Sequence, residues 1–173
     1  MKIASLADLY LAQLQDMYSC EKQLIKALPK LIKSLESPKL VDAVTHHLGE
    51  TRTQLERVAE MIANLGKSAG RKVCQATTGL VAEATELAEA AVEPTVRDAG
   101  LIAAFQKVEH YEIASYGCLR SLATLLGRHA DEKLIQRTLN EEGKANEALS
   151  ALANGSINAD ALKAGLVASE QAD

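Results

Sequence analysis

Glutamates recur on the apolar stripes of this 173-residue chain, where a helical pattern calls for hydrophobic side chains. They are Glu21, Glu50, Glu109, Glu112 and Glu142. A carboxylate that faces a helical core is unfavourable by several kcal/mol unless a proton, a partner or a cation neutralises it. Two divalent cations would nearly balance five such charges, and carboxylate oxygens suit iron and manganese. The pattern therefore predicts a di-metal site inside a helical bundle.

The composition predicts helices as the elements that position these glutamates. Hydrophobic residues make up 47% of the chain, whereas the aromatic residues that strands favour make up 3%. The net charge of -4 does not indicate a nucleic-acid partner, and no apolar run approaches the roughly 20 residues of a membrane span. Because the amino-terminal segment also lacks the apolar centre of a signal peptide, we expect a cytoplasmic protein.

The apolar periodicity predicts four long helices, which we place at residues 5–35, 38–65, 95–126 and 129–154. Ser37 and Pro38 form a start signal for the second helix, with Ser37 as its N-cap, and Pro29 should bend the first helix without ending it. Residues 66–94 are long enough to cross the bundle and carry a minor helix, whose apolar stripe is Leu80, Val81, Ala84, Leu87, Ala88 and Ala91. Two helical hairpins joined by a long crossover are the connectivity of a ferritin-like four-helix bundle. We expect that bundle to occupy residues 1–155, followed by a tail, 156–173, with a short helix over 159–168.

The histidines that usually accompany such glutamates are missing from their usual positions. Ferritin-like di-iron or di-manganese sites use one Glu from each of two helices and Glu-x-x-His from each of the other two. Here Thr53 follows Glu50 by three residues and Ala145 follows Glu142 by three. His47 precedes Glu50 by one turn, so it is a candidate ligand or hydrogen-bond donor. His46 is a second candidate for that role, whereas His110 should face away from the core.

Several assignments stay open at this level. Glu141 competes with Glu142 for the inward position, and the helical phase favours Glu142. Tyr18 and Tyr116 each lie one turn from a candidate ligand, where they could donate to a carboxylate or simply pack in the core. Basic residues could neutralise the glutamates instead of a metal, although most of them fall on outward phases. Those residues are Arg52, Arg57, Arg97, Lys107 and Arg137.

The cysteines give no sign of a redox relay or a zinc site. Cys20, Cys74 and Cys118 are scattered and form no Cys-x-x-Cys pair, so the chain has no rubredoxin-like segment that could supply electrons. We expect Cys20 and Cys118 to be small buried side chains. The sequence identifies no redox partner.

Four segments resemble the YciE/YciF family, and together they reach from the first helix to the fourth. They are YSCEKQL (18–24), HHLGETRTQLERV (46–58), KVEHYEIASYG (107–117) and LNEEGKANEAL (139–149). The resemblance implies a ferritin-like fold related to rubrerythrins, a homodimer, a cytoplasmic location and a role in stress. It also implies the ferroxidase activity that the family carries by homology. The paired glutamates of the third rubrerythrin helix would correspond to Glu109 and Glu112.

Three functions follow from these observations. The first is metal-dependent redox chemistry, either iron oxidation or disposal of peroxide or oxygen, at a di-iron or di-manganese centre. The second is a non-enzymatic stress protein that keeps the scaffold, and Thr53 and Ala145 favour it because both replace expected histidines. The third is metal binding without turnover.

Overall fold

The computed structural model describes residues 3–90 and 92–170, and within these ranges it is helical with no strand. The helices are α1 (Leu6–Ile32), α2 (Pro38–Ala63), α3 (Gln75–Glu89), α4 (Pro94–Leu125), α5 (His129–Leu152) and α6 (Asn158–Glu170). The hairpins α1–α2 and α4–α5 pack side by side, with α1 against α4 and α2 against α5. The predicted all-α bundle with a minor helix in its crossover is therefore confirmed.

Helix α1 begins as the sequence predicts and ends three residues early. The hydroxyl of Ser5 accepts a hydrogen bond of 3.1 Å from the backbone N–H of Asp8, which caps the helix. Pro29 lies inside α1, which continues to Ile32 as one helix. The predicted extension to Leu35 is wrong, because residues 33–37 turn the chain towards α2.

The turn between α1 and α2 is held by a buried carboxylate from another helix. Asp98 in the first turns of α4 accepts backbone hydrogen bonds from Glu36 at 3.0 Å and from Ser37 at 2.7 Å. Ser37 is the N-cap residue of α2 and Pro38 is its first residue, as the sequence predicts. The side chain of Ser37, however, makes no capping hydrogen bond.

We expect Asp98→Ala to lower the free energy of unfolding by about 2–4 kcal/mol, because it leaves two partly buried N–H groups without their charged acceptor. Urea denaturation of the metal-free protein measures the loss. Asp98→Asn keeps one acceptor oxygen, so it should lose less. Equal stability of Asp98→Ala and wild type would show that Asp98 does not hold this turn.

The crossover places α3 against α1 and α4. Only Thr77 and Ala84 of α3 are fully buried, and the other residues of its predicted apolar stripe are half-buried. Gly100 permits the close approach of α3 to α4, because a Cβ there would lie 2.6 Å from Cδ2 of Leu87. Ala91, predicted to continue the stripe, lies outside the described residues.

Helix α5 ends at Leu152, two residues before the predicted end, but the chain does not leave the helical path at Asn154 and Gly155 as predicted. A π-helical turn, Ala153–Ile157, carries the chain directly into α6, which packs on α4. The predicted short helix over 159–168 lies within α6. The predicted division into a bundle and a tail stays a prediction, and residues 171–173 of that tail lie outside the described residues.

Within the described helices, none combines the length and apolarity needed to cross a bilayer.

Candidate metal centre

Three helices direct four glutamates into the middle of the bundle. Glu21 comes from α1, Glu109 and Glu112 from successive turns of α4, and Glu142 from α5. Each of these residues is at most 2% exposed. The spacing of three residues puts Glu109 and Glu112 on one face of α4. The helical phase therefore predicted the inward direction of all four correctly, including Glu142 rather than Glu141, which is half-buried.

Helix α2 contributes a histidine to this cluster. One ligand atom each from His47, Glu109, Glu112 and Glu142 can be chosen so that all four lie within 4.8 Å of one another. His47 is buried, and its Nε2 lies 3.4 Å from Oε1 of Glu109. One nitrogen and three carboxylate oxygens converging in this way form a donor set suited to iron or manganese.

The glutamate cluster also contains most of the unsatisfied polar atoms in the described part of the chain. Eight buried side-chain nitrogen or oxygen atoms there have no hydrogen-bond partner, and six of them lie in or beside this cluster. They are Glu21 Oε2, Glu109 Oε2, Glu112 Oε2, Glu142 Oε2, His47 Nδ1 and Gln54 Oε1. Buried polar atoms are normally paired, so a concentration of unpaired acceptors fits a cation that they would share.

Without a cation, burial favours the neutral forms of these acids. Burial raises the pKa of Glu21, Glu109 and Glu112 well above the usual value, and the nearby charge of Glu142 raises it further. Burial also raises the pKa of Glu142, although the charge of His47 acts in the opposite direction. The protein itself does not supply enough positive charge to ionise all four groups.

Two side chains fix the orientation of the carboxylates next to α1. The hydroxyl of Tyr116 donates to Oε1 of Glu21, not to Glu112, from which it is one turn away. The thiol of Cys20 lies 3.8 Å from Oε1 of Glu112. Burial raises the pKa of both Tyr116 and Cys20, so both stay protonated donors at neutral pH. Hydrogen bonds of this kind orient the ligands of metal sites.

Tyr18 stands apart from this arrangement. Its half-buried ring lies 5.4 Å from the ammonium of Lys22, and no hydrogen bond joins it to a glutamate among the described residues. The predicted donor role therefore falls to Tyr116 alone.

Glu50 lies at the edge of the cluster and is not one of the converging ligands. Its side chain is 23% exposed, and its oxygens lie 3.4 Å from Nε2 of His46 and 3.8 Å from Nδ1 of His47. Thr53 is exposed, so the position three residues after Glu50 does not face the site at all. A histidine at position 53 would not reach the cluster, and His47 occupies the inward position instead.

Gln54 is a residue of the cluster that the sequence did not identify, and Arg57 is the one of the five candidate basic residues that lies beside the cluster. The amide of Gln54 donates to Oε1 of Glu142, and Arg57 forms a two-point salt bridge with Glu141 at 2.5 and 2.9 Å. Arg57 is buried, so its predicted outward direction is wrong. Although burial acts against it, Arg57 holds the pKa of Glu141 below its usual value. Gln54 lies two helical turns after His47 on the same face of α2, which is the sequence signal for its inward position.

The remaining predicted residues divide into correct and incorrect assignments. Cys20 is buried as expected, but Cys118 is exposed, because its position on α4 faces away from the bundle. His110 is exposed as predicted, with Nδ1 2.8 Å from the carbonyl oxygen of Gln106. His46 is also exposed and reaches only Glu50.

Comparison with known proteins places the chain in a family. Residues 5–162 match the family model described as Domain of unknown function (DUF892). Protein YciF of Escherichia coli strain K12 is 43% identical over 159 residues, which cover 91% of this chain and 96% of that protein.

Solved structures give the same relationship. The crystal structure of the E. coli stress protein YciF matches with a TM-score of 0.86 and 43% identity, covering 90% of this chain and 99% of that one. YcfI from Rhodopseudomonas palustris, provisionally described as a structural protein, matches with a TM-score of 0.83 and 40% identity over 86% and 95% of the two chains. A protein from Xanthomonas campestris, 21% identical with a TM-score of 0.70 over 96% and 99%, shares the fold. The chain belongs to the DUF892 family, of which YciF is a member.

Proposed function

We propose that this chain is a stress-associated, ferritin-like protein whose glutamate cluster holds a pair of iron or manganese ions. Its activity would be iron oxidation, or disposal of peroxide or oxygen. One observation carries the proposal: three buried glutamates and a buried histidine converge within 4.8 Å, and each of them, like the buried Glu21, keeps a side-chain atom without a partner. A bound metal pair would supply the one-electron chemistry that carboxylates and imidazole lack.

The roles of the residues follow from their positions. His47, Glu109, Glu112 and Glu142 would hold one ion, because their donor atoms already lie close together. Glu21 would complete the second position together with the free oxygens of Glu112 and Glu142, because the charge of Glu142 raises the pKa of Glu21 and the charge of Glu21 raises the pKa of Glu112. Glu50 is the remaining candidate ligand, from the more exposed side. Because the buried acids favour their protonated forms, metal binding should release protons.

A second function has support of its own. Gln54 already donates to Glu142, Arg57 neutralises Glu141, and Ala145 offers no ligand where a histidine is expected. These features favour a stress protein on the same scaffold whose site either binds metal without turnover or no longer binds metal. Homodimerisation and a cytoplasmic location stay predictions under either function.

Metal analysis separates these functions. The full chain, purified without chelator and loaded anaerobically with Fe(II) or Mn(II), is expected to retain about two equivalents after desalting. Less than about 0.1 equivalent of either metal would exclude both metal-binding proposals.

Oxygen consumption on Fe(II) addition then separates turnover from storage. Ferroxidase chemistry predicts uptake that continues over several additions of Fe(II) and exceeds the uptake of Fe(II) in buffer. Uptake equal to the buffer control, with metal bound, would support the second function.

A further inference from the structure

A cavity of about 220 Å³ lies inside the bundle next to the glutamate cluster. Its walls are mostly aliphatic side chains from five helices, α1 to α5, with one aromatic ring. The main wall residues are Leu24, Leu28, Leu31, Val44, Phe105 and Leu149. The metal-holding residues do not account for an apolar space of this size, because protein cores are normally packed without voids of this volume.

The residues that line the cavity extend along two helices and include both apolar and polar side chains. It follows α1 from Leu24 to Leu31 and α2 from position 43 to position 50, and seven helical residues span about 10 Å. His47 and Glu109 form its inner end, where it meets the glutamate cluster. His46 and Lys144, both exposed, lie where the cavity reaches the surface between α2 and α5.

The size of the cavity limits the occupant. An apolar cavity of about 150 Å³ holds benzene, which corresponds to about 25 Å³ per heavy atom. On that scale this cavity accepts about nine heavy atoms. Its length of about 10 Å favours an extended chain over a fused ring. Water is disfavoured along the walls because they offer no hydrogen-bond partners.

We propose that this cavity binds an unbranched aliphatic molecule of about eight carbons that carries a neutral polar head, such as a primary alcohol. The chain lies along the leucines of α1, and the head lies at the inner end. There Nδ1 of His47, which is buried and has no hydrogen-bond partner, offers a polar contact. An anionic head is disfavoured at this end, because the carboxylate of Glu50 lies 3.8 Å from Nδ1 of His47 and would repel it.

The two halves of this inference depend on different observations. Binding of the chain depends only on the apolar walls, so it does not require a metal. The direction of the head rests on the proposed function, since it places the head beside the metal-holding residues.

Calorimetric titration of the full metal-free chain with 1-octanol tests the inference. One saturable site is expected, and 1-butanol and octanoate should each bind at least about 10-fold more weakly, since they lack the chain length or carry the wrong charge. Absence of saturable 1-octanol binding would overturn the proposal, and so would equal affinity for 1-butanol or for octanoate.

Two variants locate the site. Ala145→Leu fills the cavity from α5 and should weaken 1-octanol binding at least about 10-fold. Ala148→Leu acts at an exposed wall position, so it should obstruct binding without endangering the fold. Ala82→Leu, on the exposed face of α3 outside the cavity, is the matched control and should bind like wild type. Unchanged affinity in both cavity variants would overturn the location.

Glu112→Gln distinguishes this inference from the proposed function. Glu112 does not line the cavity, so its replacement should remove metal binding and leave 1-octanol binding intact. If 1-octanol fails to bind wild type while metal binds, only the cavity inference fails. If metal fails to bind while 1-octanol binds, only the proposed function fails.

Discussion

Glu112→Gln should abolish metal binding and, in the metal-free protein, raise the free energy of unfolding at about pH 7.5. Glu112 is fully buried, and burial together with Glu142 and Glu21 raises its pKa well above the usual value. At neutral pH the unfolded chain ionises this group freely, whereas the folded chain resists ionisation, so the glutamate destabilises the fold. Glutamine has the same shape and no ionisation to lose, so we expect a gain on the order of 1 kcal/mol.

Metal affinity and stability must be measured on the same preparations. Equilibrium dialysis should show an affinity for Fe(II) or Mn(II) reduced by at least about 100-fold, because a ligand contributes more than the residues that orient it. Urea denaturation in the presence of chelator gives the stability. Glu109→Gln should behave in the same way, since Glu109 is equally buried and has a raised pKa for the same reasons.

Glu147→Gln is the matched control. It makes the same chemical change on α5 at an exposed position, so metal binding and stability should stay at wild-type values. A loss of several kcal/mol in metal-free Glu112→Gln would contradict the prediction. It would mean that Glu112 is a structural partner, through Cys20 or another neighbour, and not a group that awaits a cation.

The metal-free protein should become less stable as the pH rises from about 5 to about 8. The pKa of Glu21, Glu109, Glu112 and Glu142 is raised in the folded state above the usual 4.5. The free energy of unfolding is therefore highest at pH values low enough for these four glutamates to be protonated in the unfolded chain as well. It falls once the unfolded chain begins to ionise, by up to about 1.4 kcal/mol per pH unit for each group that stays protonated in the fold.

Carboxylates whose pKa is lowered in the fold affect stability in a lower pH range. Asp16 and Glu141 have a lowered pKa in the fold, where Lys72 and Arg57 respectively compensate for burial. Their stabilising effect is complete above the usual pKa and is lost only as the pH falls below it. Above about pH 5 the four buried acids should therefore dominate, and we expect a total loss of at least about 2 kcal/mol by pH 8.

Urea denaturation at several pH values, with chelator and with saturating Mn(II), checks this dependence. Mn(II) should reverse the slope, because ligands must be deprotonated to bind and affinity therefore grows with pH. Glu112→Gln should have a shallower metal-free slope than wild type. A metal-free stability that rises from pH 5 to pH 8 would contradict the raised pKa values on which the prediction depends.

The helices themselves were determined by local features of the sequence. Pro38 and Pro94 begin α2 and α4 because proline suits the first helical position. Gly66 and Gly127, which both have a positive φ angle, follow the ends of the same two helices. The three-four spacing of apolar residues also fixed which face of each helix is buried. For this reason Glu21, Glu109, Glu112 and Glu142 could be assigned inward before any packing was known.

Tertiary packing decided the features that depend on contacts between distant parts of the chain. The turn before α2 is held by Asp98, which accepts a hydrogen bond from the backbone N–H of Ser37, 61 residues away. Arg57 is buried because Glu141, 84 residues away, neutralises it. The helical period within α2 gives no information about a partner on another helix. The π-helical turn after α5 likewise contains Gly155, which the sequence pattern indicates as the end of a helix.

The glutamate cluster illustrates both contributions. The sequence by itself determined that carboxylates enter the core, because burial follows from the helical period. Only the tertiary structure decided which ligands meet, because the rotation of α2 directs His47 and Gln54 inward while Glu50 stays at the edge and Thr53 faces solvent. The helical period gives the angle between residues around the axis of one helix. The rotation of that helix about its axis in the bundle is set by the side chains that it packs against.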